Sequence, residues 1–267
     1  MAENRIMPLK RIHDINIFYE ENGDGEPLLF IHGLGSSTRD WELQVPVFSE
    51  YYRVITVDLR GHGRTDKPKK SYSIKLFADD TFHLLDELHA LPAHIVGLSL
   101  GGMVAFQIAV DSPDKVKSLT IVNSCPEMII HTFHEWVEFW RRIIIIQLLG
   151  MRRLATFLCG RLFPEPHQEE VRCEAVKRLA ANDKRAYINT LRAISGWSVM
   201  DRLDRITCPT IIMSGDMDFL PMPTKESCVS RIANSELSII DSSRHVTPVD
   251  QPEKFNTMLH TFLSKQK

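Results

Sequence analysis

The chain has little of what would take it out of the cytoplasm or onto a nucleic acid. Its first residues, Met1-Ala2-Glu3-Asn4-Arg5, lack the apolar core of a secretory signal. No window reads as the roughly 18 apolar residues of a membrane span. Cysteine is scarce: five in 267 residues (Cys125, Cys159, Cys173, Cys208, Cys228), odd in number and without C-x-x-C spacing. That argues against a disulfide framework or a zinc site and for reduced thiols in a cytoplasm. An excess of one charge is missing too. Thirty-two Lys and Arg against 34 Asp and Glu leave a net charge of −2, so there is no global pull toward nucleic acid or anionic membrane. His131 and His134 stand at i, i+3 but lack a third ligand, so no metal is expected. No internal repeat or low-complexity segment occurs.

What is present is an ordinary globular composition, 43% hydrophobic and 25% charged, in a chain long enough for one large α/β domain with an insertion. Residues 11–20 alternate apolar and polar as a half-buried edge strand does. Continuous apolar runs at 27–31, 53–57, 93–96, 117–123, 210–214 and 237–240 read as buried strands. Helical spacing covers 73–88, the run after residue 101, 224–233 and 252–264. Strands alternating with helices predict a mainly parallel sheet flanked by helices, with ligands at the carboxyl ends of the strands. The rhythm breaks between 126 and 200, where the pattern is helical throughout. This predicts a helical cap (126–200) inserted in a core formed by 1–125 and 201–267. Phe133, Trp136, Val137, Trp140, Ile144 and Leu148 keep an i, i+3, i+4, i+7 stripe there, as a packing face does.

Gly97-Leu98-Ser99-Leu100-Gly101 lies between the strand at 93–96 and the helical run that follows. A G-x-S-x-G in that position is the signature of a nucleophile elbow, a turn tight enough to project the serine into a cleft. A serine hydroxyl needs a base to take its proton and a third group to orient that base. His245, in the loop after the strand at 237–240, is the base if the chain order is Ser, acid, His. Gly215-Asp216-Met217-Asp218 offers two acids just past the preceding strand. Asp218, deeper in the loop, is preferred, and Asp216 is read as capping the turn. No acid follows the strand at 117–123, which ends Asn123-Ser124-Cys125. A tetrahedral intermediate needs preformed donors for its oxygen. The N–H of Leu100 and that of Leu34, in the loop His32-Gly33-Leu34-Gly35, are the candidates, with His32 orienting that loop.

Five ordered motifs carry a resemblance: His32-Gly33-Leu34-Gly35, Asp58-Leu59-Arg60-Gly61-His62-Gly63-Arg64-Thr65, Gly97-Leu98-Ser99-Leu100-Gly101-Gly102, Gly215-Asp216-Met217-Asp218, and His245 with Gln251-Pro252-Glu253-Lys254-Phe255. The chain resembles an α/β-hydrolase of the esterase, lactonase and haloperoxidase-like group over nearly its whole length outside the cap. Two departures are small: Thr65 where the family commonly has Ser, and Arg244 where Gly commonly precedes the His. Haloalkane dehalogenases and epoxide hydrolases of this fold carry Asp at the elbow, so Ser99 argues for acyl-enzyme chemistry. The resemblance implies a cofactor-independent hydrolase of a small or medium carboxylic ester. Enol-lactone hydrolysis, carbon–carbon hydrolysis and perhydrolysis are alternatives on the same triad, and a non-turnover ligand receptor is an alternative of another class.

The cap is expected to select substrate. Trp136, Phe139, Trp140 and Trp197, with Val246 beside the base, are the candidate lining. Residues 127–200 carry a net charge of +3 and the remainder −5; five arginines (141, 142, 152, 153, 161) and no acid fall within 139–164. A solvated helix face is one reading of that basic stretch. Docking of an acidic partner such as acyl carrier protein is the sharper one, since carrier-protein methyl esterases share the resembled fold.

Overall fold

The computed structural model describes residues 8–130 and 132–266. Eight strands form one sheet: β1 (Leu9–Ile12), β2 (Ile15–Asn22), β3 (Glu26–Ile31), β4 (Tyr52–Val57), β5 (Ala93–Leu98), β6 (Val116–Val122), β7 (Thr210–Gly215) and β8 (Ser235–Ile240). Their spatial order is β1-β2-β4-β3-β5-β6-β7-β8. From β4 to β8 every pairing is parallel; β1–β2 and β2–β4 are antiparallel. The strand expected over 11–20 is therefore a hairpin. The chain reverses at His13, whose φ is 49°. Apolar alternation runs on through the turn, so the period-2 pattern could not reveal the reversal.

Side chains along the central strands divide between two cores. Leu29 and Ile31 of β3 and Ile95 of β5 pack with Phe77, Leu84, Val104 and Phe106 from the helices Ile74–Glu87 and Leu100–Asp111. Leu28, Phe30, Val96 and Leu98 face the other way, onto Trp41, Phe48 and the C-terminal helix Pro252–Ser264. Burying both faces is why these strands read as unbroken apolar runs. Each fully buried large side chain contributes about 1.5–3 kcal/mol.

Asp58, at the end of β4, explains the motif that follows it. Its wholly buried carboxylate accepts from Thr38 N at 2.7 Å and Arg64 N at 2.8 Å. Arg60 is buried on Asp80 (2.7 and 2.9 Å) and reaches Asp14 at 2.8 Å. Thr65, the departure from Ser, keeps a hydroxyl's work: Oγ1 donates to Asp58 O at 2.6 Å and accepts from Phe18 N at 2.9 Å.

Between β6 and β7 lie the helical stretches Phe133–Leu162, Glu169–Ala180 and Lys184–Ile194. The chain enters and leaves this insertion side by side, with Met128 N bonded to Trp197 O (2.8 Å) and Val199 N to Pro126 O (2.8 Å). The insertion holds its own small core, including Ile143, Ile146, Leu154, Tyr187 and Leu191. Gly150, at φ 77° and ψ 174°, breaks the first stretch. Trp136–Leu162 is nonetheless long and apolar enough, by length and composition, to cross a membrane. That corrects the reading that no such window exists. One third of that window is buried in the protein and its helix is not continuous.

Candidate active site

The site is assembled at the carboxyl ends of β3, β5, β7 and β8. Ser99 follows β5 and begins the helix Leu100–Asp111 with φ 52° and ψ −112°. This is backbone that a non-glycine residue adopts at a cost of about 1–3 kcal/mol. The neighbours must yield space for it. A Cβ on Gly97 would be driven into the Gly101 carbonyl, and one on Gly101 into the Ile31 carbonyl of β3. Ser124 Oγ donates to Ser99 O at 2.6 Å and fixes the turn from β6.

Ser99 Oγ lies 2.9 Å from His245 Nε2, and His245 Nδ1 lies 2.7 Å from Asp218 Oδ1. With Nδ1–H donating to the carboxylate, Nε2 is the acceptor for the serine hydroxyl. Asp218 is almost fully buried and His245 nearly so. Burial pushes the Asp218 pKa up, but the bonds from His245 and Lys225 outweigh it and hold the carboxylate below its ordinary 3.8. Asp216 takes the other role: its Oδ1 accepts from Ser243 N at 3.0 Å, tying the turn to the histidine loop.

Two residues of this constellation had no signal in the sequence. Lys225, on the helix Met222–Val229, is 1% exposed and donates to both Ser214 Oγ and Asp218 Oδ2 at 2.5 Å. A lysine seven residues after the acid looks like any solvated helix lysine until the helix folds over the β7 end. Asn123 holds φ 44° at the end of β6. Its amide donates to Arg244 O (3.1 Å), His245 O (2.8 Å) and Thr247 Oγ1 (2.7 Å), while its carbonyl accepts from Gly215 N (2.9 Å). It joins the loops that carry Asp218 and His245. Only the absence of an acid at that position was visible beforehand.

The loop 32–35 passes beside Ser99: a Cβ on Gly33 would stand 3.6 Å from Ser99 Cβ. His32 is wholly buried, takes Leu59 N on Nε2 at 3.0 Å, and so donates Nδ1–H to Gly33 O at 2.7 Å. Burial pushes its pKa down to about 4, so it clamps the loop as a neutral ring. Asp40 accepts from Gly33 N at 3.2 Å and from Ser36 Oγ, and burial raises it to about 6. Leu34 and Leu100 both line the cavity next to Ser99. Leu100 is the first residue of its helix, where the N–H has no partner within the helix.

Above Ser99 lies a cavity of about 1030 Å³, floored by the core and roofed by the insertion. Of the cap residues expected to line it, Phe139 does, and so does Val246 beside the base. Trp136 and Trp140 do not. Both are exposed on the outer side of the helix, and Trp136 borders a separate open hollow with Phe133. Trp197 is also out of the cavity; its indole N–H donates to Gln107 Oε1 at 2.9 Å. The periodicity marked a helix face without saying which way it turns. Phe219 stacks obliquely on the His245 ring, centroids 4.1 Å apart. Arg244 lines the cavity and pairs with Glu165 of the insertion at 3.5 Å. His131 lies outside the described residues, as does the side chain of His134; among the described residues no cluster of metal-ligating side chains occurs.

The model of the alpha/beta hydrolase fold family matches residues 26–157. A putative carbamate hydrolase of Variovorax paradoxus is 30% identical over 93% of this chain and 96% of its own length. The chain belongs to the α/β-hydrolase fold family. The 3-oxoadipate enol-lactonase 1 of Acinetobacter baylyi is 27% identical over 88% of each chain. In three dimensions this α/β-hydrolase superposes on the enol-lactonase of Burkholderia xenovorans with a TM-score of 0.88, at 24% identity over 96% of this chain and 100% of that one. Hydrolysis is the chemistry common to these named relatives.

Proposed function

We propose that the protein hydrolyses a carboxylic ester through an acyl-enzyme on Ser99. The observation that carries this reading is the hydrogen-bonded line Ser99–His245–Asp218, at 2.9 and 2.7 Å, opening into the cavity. Ser99 Oγ attacks the ester carbonyl carbon as its proton passes to His245 Nε2. Asp218 holds the imidazole by its other nitrogen and stabilises the imidazolium that forms. The tetrahedral oxygen is met by the N–H groups of Leu34 and Leu100. Collapse expels the alcohol with the proton from Nε2. Water, deprotonated by the same nitrogen, then attacks the acyl carbon, and the acid leaves with Ser99 restored.

Lys225 belongs to this reading as a positioning residue. It holds one carboxylate oxygen of Asp218, which leaves the other aimed at His245. The cavity stands at the upper end of the ~300–1,000 Å³ usual for small-molecule sites. Its wall near Ser99 includes Met103, Phe139, Leu158, Phe163 and Leu191. This favours an acyl or alcohol group of medium length. An enol-lactone is the second reading, favoured by the Acinetobacter relative's name. A series of p-nitrophenyl esters from acetate to decanoate, run beside an enol-lactone, separates the two. The ester reading expects kcat/KM to rise with chain length and exceed that on the lactone. A lactone preferred over every ester reverses it.

A further inference from the structure

A backbone N–H serves an oxyanion only if its peptide plane is held. Gly33, Leu34, Gly35 and Ser36 form a turn closed by Ser36 N, which donates to Gly33 O at 3.2 Å. Gly35 takes the third position at φ 76°, which glycine adopts without strain. Leu34 takes the second position, and its N–H makes no hydrogen bond among the described residues. In a trans peptide the N–H points opposite to the C=O of the same unit. The two donors on Gly33 O, Ser36 N and His32 Nδ1, therefore aim the Leu34 N–H the other way. Asp40 grips this turn at both ends: Oδ2 accepts from Gly33 N at 3.2 Å and Oδ1 from Ser36 Oγ. The carboxylate is itself fixed. It belongs to the short helix Thr38–Trp41, where Thr38 N is bonded to Asp58 at 2.7 Å and Trp41 is wholly buried beside Phe30 and Phe255. Asp40 thus ties a turn beside Ser99 to the packed core.

We propose that Asp40 is a positioning residue for the oxyanion hole: by bonding both ends of the turn 33–36 it fixes the direction of the Leu34 N–H. This rests on the acyl-enzyme reading and adds to it a residue outside the triad. An ionised carboxylate has only acceptor sites, which suit the two donors that Asp40 meets. Burial raises it to about 6, so at neutral pH it stays ionised at a cost, as groups at functional sites do. The Arg178 guanidinium of the insertion favours that charge and Asp58 opposes it. Asp40 also lines the cavity, so contact with substrate is the rival role. The two roles differ in kinetics. A substrate contact acts on KM. A residue that aims the Leu34 N–H acts on kcat, because that N–H meets its full negative charge only in the transition state. Misplacing a catalytic group by about 1 Å costs roughly a hundredfold in rate, and losing one oxyanion donor costs about 10²- to 10³-fold.

The test compares Asp40→Ala, Asp40→Asn and Ser36→Ala with the wild-type chain, well below each thermal midpoint. The readouts are the rate and amplitude of Ser99 labelling by a fluorophosphonate, followed by intact mass, and kcat and KM on a p-nitrophenyl ester. Labelling draws on the same oxyanion donors and needs no natural substrate. Asp40→Ala should slow labelling and lower kcat about a hundredfold, with KM within about twofold. Asp40→Asn keeps an acceptor for Gly33 N and offers its amide to Ser36 Oγ, so both rates should return to within about fivefold of wild type. Ser36→Ala removes one of the two braces and should cost about three- to tenfold. A misaimed donor slows labelling at full amplitude, whereas a misfolded fraction lowers the amplitude and leaves the rate. If Asp40→Ala does not fold, the other two variants decide, and an unchanged Ser36→Ala contradicts the proposal. Wild-type rates in Asp40→Ala overturn it. A raised KM at unchanged kcat overturns it in favour of a substrate contact. Asp40→Asn as slow as Asp40→Ala overturns it in favour of the charge alone. A wild-type chain that labels but turns over no ester unseats the ester substrate, and labelling still decides Asp40. A wild-type chain that does not label unseats the acyl-enzyme, and the role of Asp40 with it.

Discussion

The floor and the roof of the cavity were written into the sequence in different ways. On the floor, each residue is held by a constraint with almost no tolerance. Ser99 sits at positive φ between two glycines that cannot carry a Cβ, and Asp218 and His245 are fixed in register by strand ends. In the roof, the constraint is a periodic pattern, and a pattern fixes helix but not orientation. Phe139 faces the cavity while Trp136 and Trp140, on the same turns, face outward. Chemistry is legible where the backbone is strained; specificity, built on side-chain direction, is not.

The largest expected effect breaks the floor. Ser99→Ala should lower kcat by a factor on the order of 10⁴ to 10⁶, with the circular dichroism spectrum retained. Substantial residual turnover would remove Ser99 from its assigned role.

Acid should also act on the floor before the roof. His32 and His62 are buried neutral, burial lowering them from 6.5 to about 4 and about 3, with the His32 ring also disfavouring charge on His62. The unfolded chain then binds more protons than the native one below pH 6.5. Stability is full above that value and falls as pH drops toward 4, by about 3 kcal/mol from His32 alone. Asp40 works against this. Its native pKa is raised to about 6, so protonation stabilises the native state between roughly 6 and 3.8. Urea unfolding at a series of pH values should show a net loss on acidification that Asp40→Asn makes steeper. A flat profile would contradict the buried neutral rings.

Lys225→Met tests the part of the floor that the sequence concealed. Asp218 keeps His245 but loses its second anchor, so stability should fall by about 3 kcal/mol. The imidazole loses alignment, and kcat should fall about 10- to 100-fold with KM little changed. Removal of a cation from beside Asp218 should also shift the acid limb of the kcat profile upward. A purely structural lysine would cost stability and leave that limb in place.

The smallest effect sharpens the roof. Phe139→Ala should raise KM for a medium-chain ester about tenfold, the value of one buried apolar group. Trp136→Ala should leave it within about twofold. Equal effects would mean that the outward tryptophan contributes to the pocket after all.

Much of the α/β core could be read in advance because each motif had a local physical cause. The elbow needed its small residues, the parallel strands their unbroken apolar runs, and the loop 32–35 its glycines. The hairpin at His13 escaped because apolar alternation survives a two-residue turn in phase. Asn123 and Lys225 escaped because their importance lies in contacts across β6, β7 and β8 that no local window contains. The stripe 133–148 was legible as a helix and misread as a packing face: Phe133, Ile144 and Leu148 are exposed, and an amphipathic pattern looks the same whether or not its apolar side meets a core.

Covalent capture tests the central claim most directly. Intact-mass analysis after incubation with a fluorophosphonate should show one adduct on the wild-type chain, mapped to Ser99, and none on Ser99→Ala. An unmodified wild-type chain, or an adduct that persists in Ser99→Ala, would contradict acyl-enzyme chemistry at the elbow.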